Sequence, residues 1–171
     1  AVFRADGEIC DMNRPRPFPF LSLKHALRAA RGGCGSADFS PSAPPRDIDL
    51  GTFVGLAVRR SAVERAPPPD PSWFIYGDDW DYCLTLAKAG FRLRFDPAFR
   101  YTHDISSQAT AAHIYTHLWQ LYYACRNGFL LQRRHMGRLS APYGWLRARQ
   151  WIASARRYPD PAAALPVIPT A

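Results

Sequence analysis

Acidic residues are missing from one long stretch of this sequence. From residue 105 to residue 158 no Asp or Glu occurs, although the whole chain holds 14 of them. The same stretch carries Arg126, Arg133, Arg134, Arg138, Arg147, Arg149, Arg156 and Arg157, and those arginines account for the formal net charge of +8. So one-sided a segment faces an anionic partner, a membrane surface or plain solvent. Solvent and membrane together outrank nucleic acid. Cysteine is also scarce. Cys10, Cys34, Cys83 and Cys125 form no C-x-x-C pair, so a disulfide framework is not indicated and reduced thiols in the cytoplasm are expected. No signal peptide is expected, and no apolar run here is long enough to span a bilayer. The first methionine is Met12 and the chain opens on Ala1, so the native start is expected upstream.

What is present suffices for a folded domain. The chain has 171 residues, 47% hydrophobic and 13% aromatic, enough for one real core. Residues 1–4 and 8–12 flank Asp6-Gly7, a favoured hairpin turn. Three prolines keep 14–20 extended or looped. Residues 21–31 are predicted helical, with Leu23, Leu27 and Ala30 on one face and Gly32-Gly33 as the stop. The Gly-, Ser- and Pro-rich stretch 32–46 is a surface loop. Residues 53–58 (FVGLAV) have the pattern of a buried strand. Ser61 and Glu64 make a capping box for a short helix, which four prolines within 66–72 terminate.

Farther on, 73–76 is a short apolar strand or turn. Asp78 or Asp79 caps a helix that runs to Ala89 and closes at Gly90. Residues 92–101 alternate as a strand, interrupted at Asp96-Pro97. A long helix is expected over 110–135, with Ile114, Leu118, Leu121, Cys125 and Phe129 as its apolar stripe. A basic amphipathic helix follows over 143–157, and a Pro/Ala-rich tail from Pro159 onward is expected to be disordered.

The stretch 74–82 (FIYGDDWDY) is the most informative. Asp78, Asp79 and Asp81 crowd three carboxylates into four positions at a helix start. Like charges repel, so a fold keeps them together for a metal, a base or helix caps. The free N–H groups of a helix start lower the cost. The plain alternative is an N-cap with an acidic first turn.

Taken in order, 53–60 (FVGLAVRR), Ala62-Val63-Glu64, 74–82, Leu86, Ala89-Gly90 and His103 resemble the acceptor-side half of family 2, GT-A-type glycosyltransferases. Rhamnosyltransferase-like and galactofuranosyltransferase-like members are the nearest in pattern. Tyr122-Tyr123-x-x-Arg126-Asn127 is similar to that group's helix after the catalytic domain. The likeness covers about residues 1–134. It implies an α/β fold: an incomplete GT-A domain over 1–104, a basic helical extension over 105–158 and a tail over 159–171.

The resemblance implies a role for each matching residue. Asp79 becomes the general base, taking the proton of an acceptor hydroxyl that attacks the anomeric carbon with inversion, an effect worth ~10²–10⁴ in rate. Asp78 holds or polarises the site, and Asp81 orients the helix or the acceptor. His103 becomes a candidate ligand of a divalent metal, Mn²⁺ or Mg²⁺. The competing reading is a histidine bonded to a nearby carbonyl. Trp73 and Tyr76 are candidates for stacking on sugar, with strand core as the alternative; Phe74 is expected in the core. Gly55 would admit substrate or backbone, and Arg59 could reach a diphosphate.

The expected donor is a UDP- or dTDP-sugar and the acceptor a glycan or lipid-linked sugar. The basic helices are expected to rest on the inner face of the plasma membrane. No segment matches the nucleotide-binding half, so the 171 residues alone are expected to be inactive. Asp47-Ile48-Asp49 has D-x-D form but lacks a preceding apolar strand, and His113 and His117 lack the glutamate of a zinc helix. Two other readings stand beside transfer: a nucleic-acid or membrane-binding module built on arginines with Tyr122, Tyr123, Trp145 and Trp151, and a metal-dependent hydrolase using Asp78, Asp79, Asp81 and His103.

Overall fold

The Asp6-Gly7 turn does reverse the chain. Gly7 sits at φ +85, Arg4 N donates to Glu8 O at 2.8 Å, and Cys10 N donates to Val2 O at 3.0 Å. The hairpin is short: only Val2–Phe3 (β1) forms a strand, and Asp11–Asn13 coils into a 3₁₀ turn. The computed structural model describes residues 1–104, 115 and 117–168. The chain is mixed α/β and divides into two units, Ala1–Asp70 with Asp79–Ile105, and Pro71–Asp78 with Ser106–Ala171. The sequence reading cuts the chain after 104 and after 158; the structure groups Pro71–Asp78 with residues 106–171 in one unit.

In the first unit the elements are α1 (Leu23–Ala30), β2 (Arg46–Ile48), α2 (Arg60–Arg65), α3 (Asp78–Lys88, from Asp79 on), β3 (Leu93–Phe95) and β4 (Tyr101–Thr102). Asp96-Pro97 divides the expected 92–101 strand, because proline cannot donate to a ladder. The two pieces then join different sheets. β3 runs antiparallel to β2, with Asp47 opposite Arg94, and β4 runs parallel to β1, with Val2 opposite Tyr101. One apolar cluster gathers Ala1, Cys34, Phe39 and Phe95; another gathers Ala62, Ala66, Tyr82 and Leu86, with Leu56 and Val58 against it.

Three local expectations fail here. Residues 53–58 form no strand. Gly55 turns the chain at φ +75, and its neighbours alternate between exposed and half-buried. Ser61 does not cap α2. The helix begins two residues earlier than that cap would start it, Arg59 takes the N-cap place without a side-chain bond, and Glu64 pairs with Arg60 at 2.6 Å. Finally, α1 exists but does not bury its apolar stripe, since Leu23 is 77% and Leu27 52% exposed. Its packed side is polar: Arg28 and His25 turn toward Asp49.

The second unit is helical: α4 (Leu118–His135), α5 (Ser140–Ala155) and α6 (Pro161–Ala164). Its core joins Leu121, Cys125, Ala155, Tyr158, Ala164 and Ile168, with Leu118 and Phe129 against it. The stripe read from the sequence is therefore the packing stripe, apart from Ile114, which lies outside the described residues. So do most of residues 105–117, including His113. The tail expected to be disordered is folded as far as Ile168. Asp160 caps α6 by accepting from Ala163 N at 3.0 Å, and burial of Ala164 and Ile168 offsets the ordering entropy. No helix among the described residues is long and apolar enough to cross a membrane.

Candidate active site

The backbone entering the carboxylate cluster is contorted. Phe74 and Tyr76 lie at φ 62 and 66, followed by Gly77 at 83. Only glycine visits that region at no steric cost. Bulky side chains there are genuine outliers, worth of order 1–3 kcal/mol of strain each. The expected strand or turn at 73–76 is thus a turn, tightened by Ile75 N donating to Trp73 O at 2.7 Å.

Asn127 of α4 holds that turn. Its side-chain amide donates to the carbonyls of Trp73, Ile75 and Tyr76 at 2.8, 2.6 and 2.9 Å. The side chain is 1% exposed, so no water competes for those bonds. Neighbouring Arg126 donates to Ser72 O at 3.0 Å and to Asn127 Oδ1 at 2.9 Å. The second unit therefore fixes the 72–76 backbone through two adjacent residues. The sequence marks Arg126-Asn127 as part of a resemblance but assigns neither a task. The available signal was an Asn in a helix stripe otherwise fit for the core.

Helix α3 starts directly after this turn, so Asp78 and Asp79 both fall in its first turn rather than at its N-cap. Both are half-buried. Asp79 Oδ1 accepts from Trp80 N at 2.8 Å. Side chains in a first helical turn lie beside the free N–H groups of the helix start. Asp81, one step farther along, is 4% exposed. Burial makes it a part of the helix's packing.

The aromatic residues trade places relative to expectation. Trp73 is 1% exposed, packed under Gly77 and below the guanidinium of Arg134. It presents no face to a sugar. Phe74, expected in the core, is 69% exposed and leans on Tyr123 at 5.0 Å and Trp119 at 6.3 Å between ring centres. The left-handed φ at Phe74 is the cause, because it throws the side chain out of the alternation a strand would impose. Tyr76 packs on Tyr115 at 5.4 Å. Burial pushes its phenol above the ordinary value, and a hydrogen bond with Gln120 pulls the other way.

Among the first unit's candidates, Gly55 admits the Tyr101 ring. A Cβ there would lie 2.5 Å from Tyr101 Cδ2, so the close approach serves packing. Arg59 is exposed at the start of α2. His103 shares a hydrogen bond with Asn13 Oδ1 through Nδ1 at 2.9 Å. Asn13 Nδ2 donates to Thr52 Oγ1 at 2.9 Å, and Oδ1 also accepts from Cys10 Sγ at 3.0 Å. With Oδ1 as acceptor, Nδ1 carries the proton and Nε2 keeps its lone pair. That tautomer suits a metal ligand, but a single nitrogen is not a site. No three His, Cys, Asp or Glu come together to hold a cation among the described residues. Among the described residues, His103 brings no two further ligating side chains with it.

The D-x-D segment is wholly engaged. Asp49, with a fully buried carboxylate, accepts from Arg28 Nη1 and from Phe18 N at 2.9 Å, with His25 Nε2 at 3.7 Å. Asp47 accepts from Arg92 Nη2 at 3.0 and 3.2 Å. These pairs tie α1 to β2 and β3, so the segment is structural. No protein-family profile matches this chain, and neither does any curated protein or solved structure.

Proposed function

We propose that this chain is the acceptor-side part of an inverting GT-A-type sugar transferase, with Asp79 as its general base. The observation that carries the reading is the strained turn that runs straight into α3. Two bulky residues in left-handed conformation, Phe74 and Tyr76, precede Gly77-Asp78-Asp79, and a buried asparagine keeps them there. Strain of this kind persists where placing a side chain matters more than stability. The chain runs from it directly into Asp78 and Asp79.

The chemistry follows from the carboxylate. Asp79 accepts the proton of a sugar hydroxyl while that oxygen forms a bond to the anomeric carbon of a nucleotide-activated sugar. The bond from that carbon to the diphosphate breaks on the opposite face, and the nucleoside diphosphate departs with the electron pair. Asp78, adjacent in the same helical turn, holds or polarises the site. His103 offers one nitrogen toward a cation and is assigned no step.

The deciding experiment measures transfer of labelled sugar from UDP- and dTDP-sugars to a glycan or lipid-linked acceptor by the native protein. Asp79→Asn keeps the shape of the side chain and removes the base, so turnover is expected to fall by ~10²–10⁴ with donor binding retained. Undiminished transfer by Asp79→Asn would sink the assignment.

A further inference from the structure

Helix α5 carries two different stripes one residue apart. Gly144, Ala148, Trp151 and Ala155 form the inner one. Gly144 and Ala155 are buried, and Gly144 brings the backbone close to Gln132 and Phe129 of α4. The outer stripe, at the same i, i+4, i+7, i+11 spacing, is Trp145, Arg149, Ile152 and Arg156, all exposed. Leu146 and Arg157 flank it. Trp145 is 62%, Leu146 46% and Ile152 37% exposed. A helix that buries one face and leaves tryptophan, leucine and isoleucine outside has a second apolar face still to be covered.

We infer that the outer face of α5 docks on an anionic lipid bilayer, lying in the plane of the interface. The charge on the face selects the partner: every ionised side chain of α4 and α5 is basic, with no acid from residue 105 to residue 158. The apolar groups select between anionic partners. Leu146 and Ile152 gain nothing from a phosphodiester backbone, whereas acyl chains just under the headgroups bury them. Trp145 and Arg149 suit the boundary itself. The guanidinium stands 4.7 Å from the indole centre, so an amphipathic ring and a phosphate-seeking cation sit at one depth. Transfer chemistry plays no part in this inference, and Asp79 belongs to the other unit.

Flotation of the full chain with phosphatidylglycerol-containing vesicles and with pure phosphatidylcholine vesicles tests it. Binding is expected to the anionic vesicles only and to weaken with salt. Combining Trp145→Ser, Arg149→Gln and Ile152→Ser should reduce it by at least about tenfold, since one basic residue near such a surface contributes ~1 kcal/mol and two apolar anchors go with it. The control is Leu23→Ser with Leu27→Ser, which removes equally exposed apolar groups from α1 and should leave binding unchanged. Where the triple variant loses its fold by circular dichroism, Trp145→Phe replaces it, and the vesicle-induced blue shift of tryptophan emission should shrink. Equal binding to neutral vesicles overturns the inference, as does a triple variant that floats like the parent. Binding of single-stranded RNA that the triple variant loses, without flotation, also overturns it in favour of a nucleic-acid surface.

Discussion

The side-chain amide of Asn127 donates to the carbonyl of Ile75 at 2.6 Å across 52 positions of sequence. It thereby fixes the middle of a turn whose two neighbours, Phe74 and Tyr76, are both left-handed. An amide has only two hydrogens, so its bonds to three carbonyls include a shared one. Few side chains could replace it.

Asn127→Ala is expected to destabilise the protein by about 2–3 kcal/mol, the cost of leaving buried carbonyls unsatisfied. Asn127→Asp should do at least as much harm, because an acceptor would then face acceptors. Urea denaturation of both variants checks this. A loss below about 0.5 kcal/mol for the alanine variant would mean the carbonyls find other donors.

At Phe74 the usual order of alanine over glycine should invert. Both substitutions remove the same exposed ring, but only glycine relieves the positive φ. Phe74→Gly is expected to be more stable than Phe74→Ala by about 1 kcal/mol. Thermal unfolding of the pair, compared at one temperature, decides. If alanine is the more stable, the left-handed backbone at this position is wrong.

Gly55 and Tyr101 should behave as a coupled pair. Gly55→Ala puts a methyl 2.5 Å from the Tyr101 ring at φ +75, for an expected loss of about 2 kcal/mol. In a Tyr101→Ala background the clash vanishes and about half of that loss, the backbone part, should remain. A double-mutant cycle measures the difference. Strict additivity would show that the ring moves aside.

The arginine partners of the D-x-D segment predict an acid limb. Burial pushes the Asp47 carboxyl up, but the hydrogen bond and charge of Arg92, with Arg28 and Lys24, outweigh it and hold the group below its ordinary value. Arg46 and the Gly35 N–H likewise hold Asp38 down against desolvation. A folded value below the unfolded one gives stability that is complete above about pH 4 and fades as pH falls through the folded value. Arg92→Gln should flatten the drop in stability as pH falls below about 4. An unchanged profile would remove Asp47 from the acid response.

Local signals in the sequence carried through where the cause is local. Asp6-Gly7 makes its turn, Asp96-Pro97 breaks its strand, Gly90 stops α3, and the Leu121–Cys125 spacing packs α4 because a 3.6-residue period lines up whatever meets it. Two of the failures share one cause. Residues 53–58 and the Pro/Ala tail were judged on hydropathy and composition, which do not say what lies opposite. Tyr101 pressed against Gly55 decides the first, and the α4 core waiting for Ala164 and Ile168 decides the second.

The sequence by itself determined that Asp78 and Asp79 would fall at a helix start, since Gly77 and the following residues specify that start within a few positions. Only the tertiary structure decided how the backbone arrives there. Phe74 and Tyr76 do not choose a left-handed conformation from their own energetics. They are held in it by Asn127, more than fifty residues away, and no local pattern records a bond made at that distance.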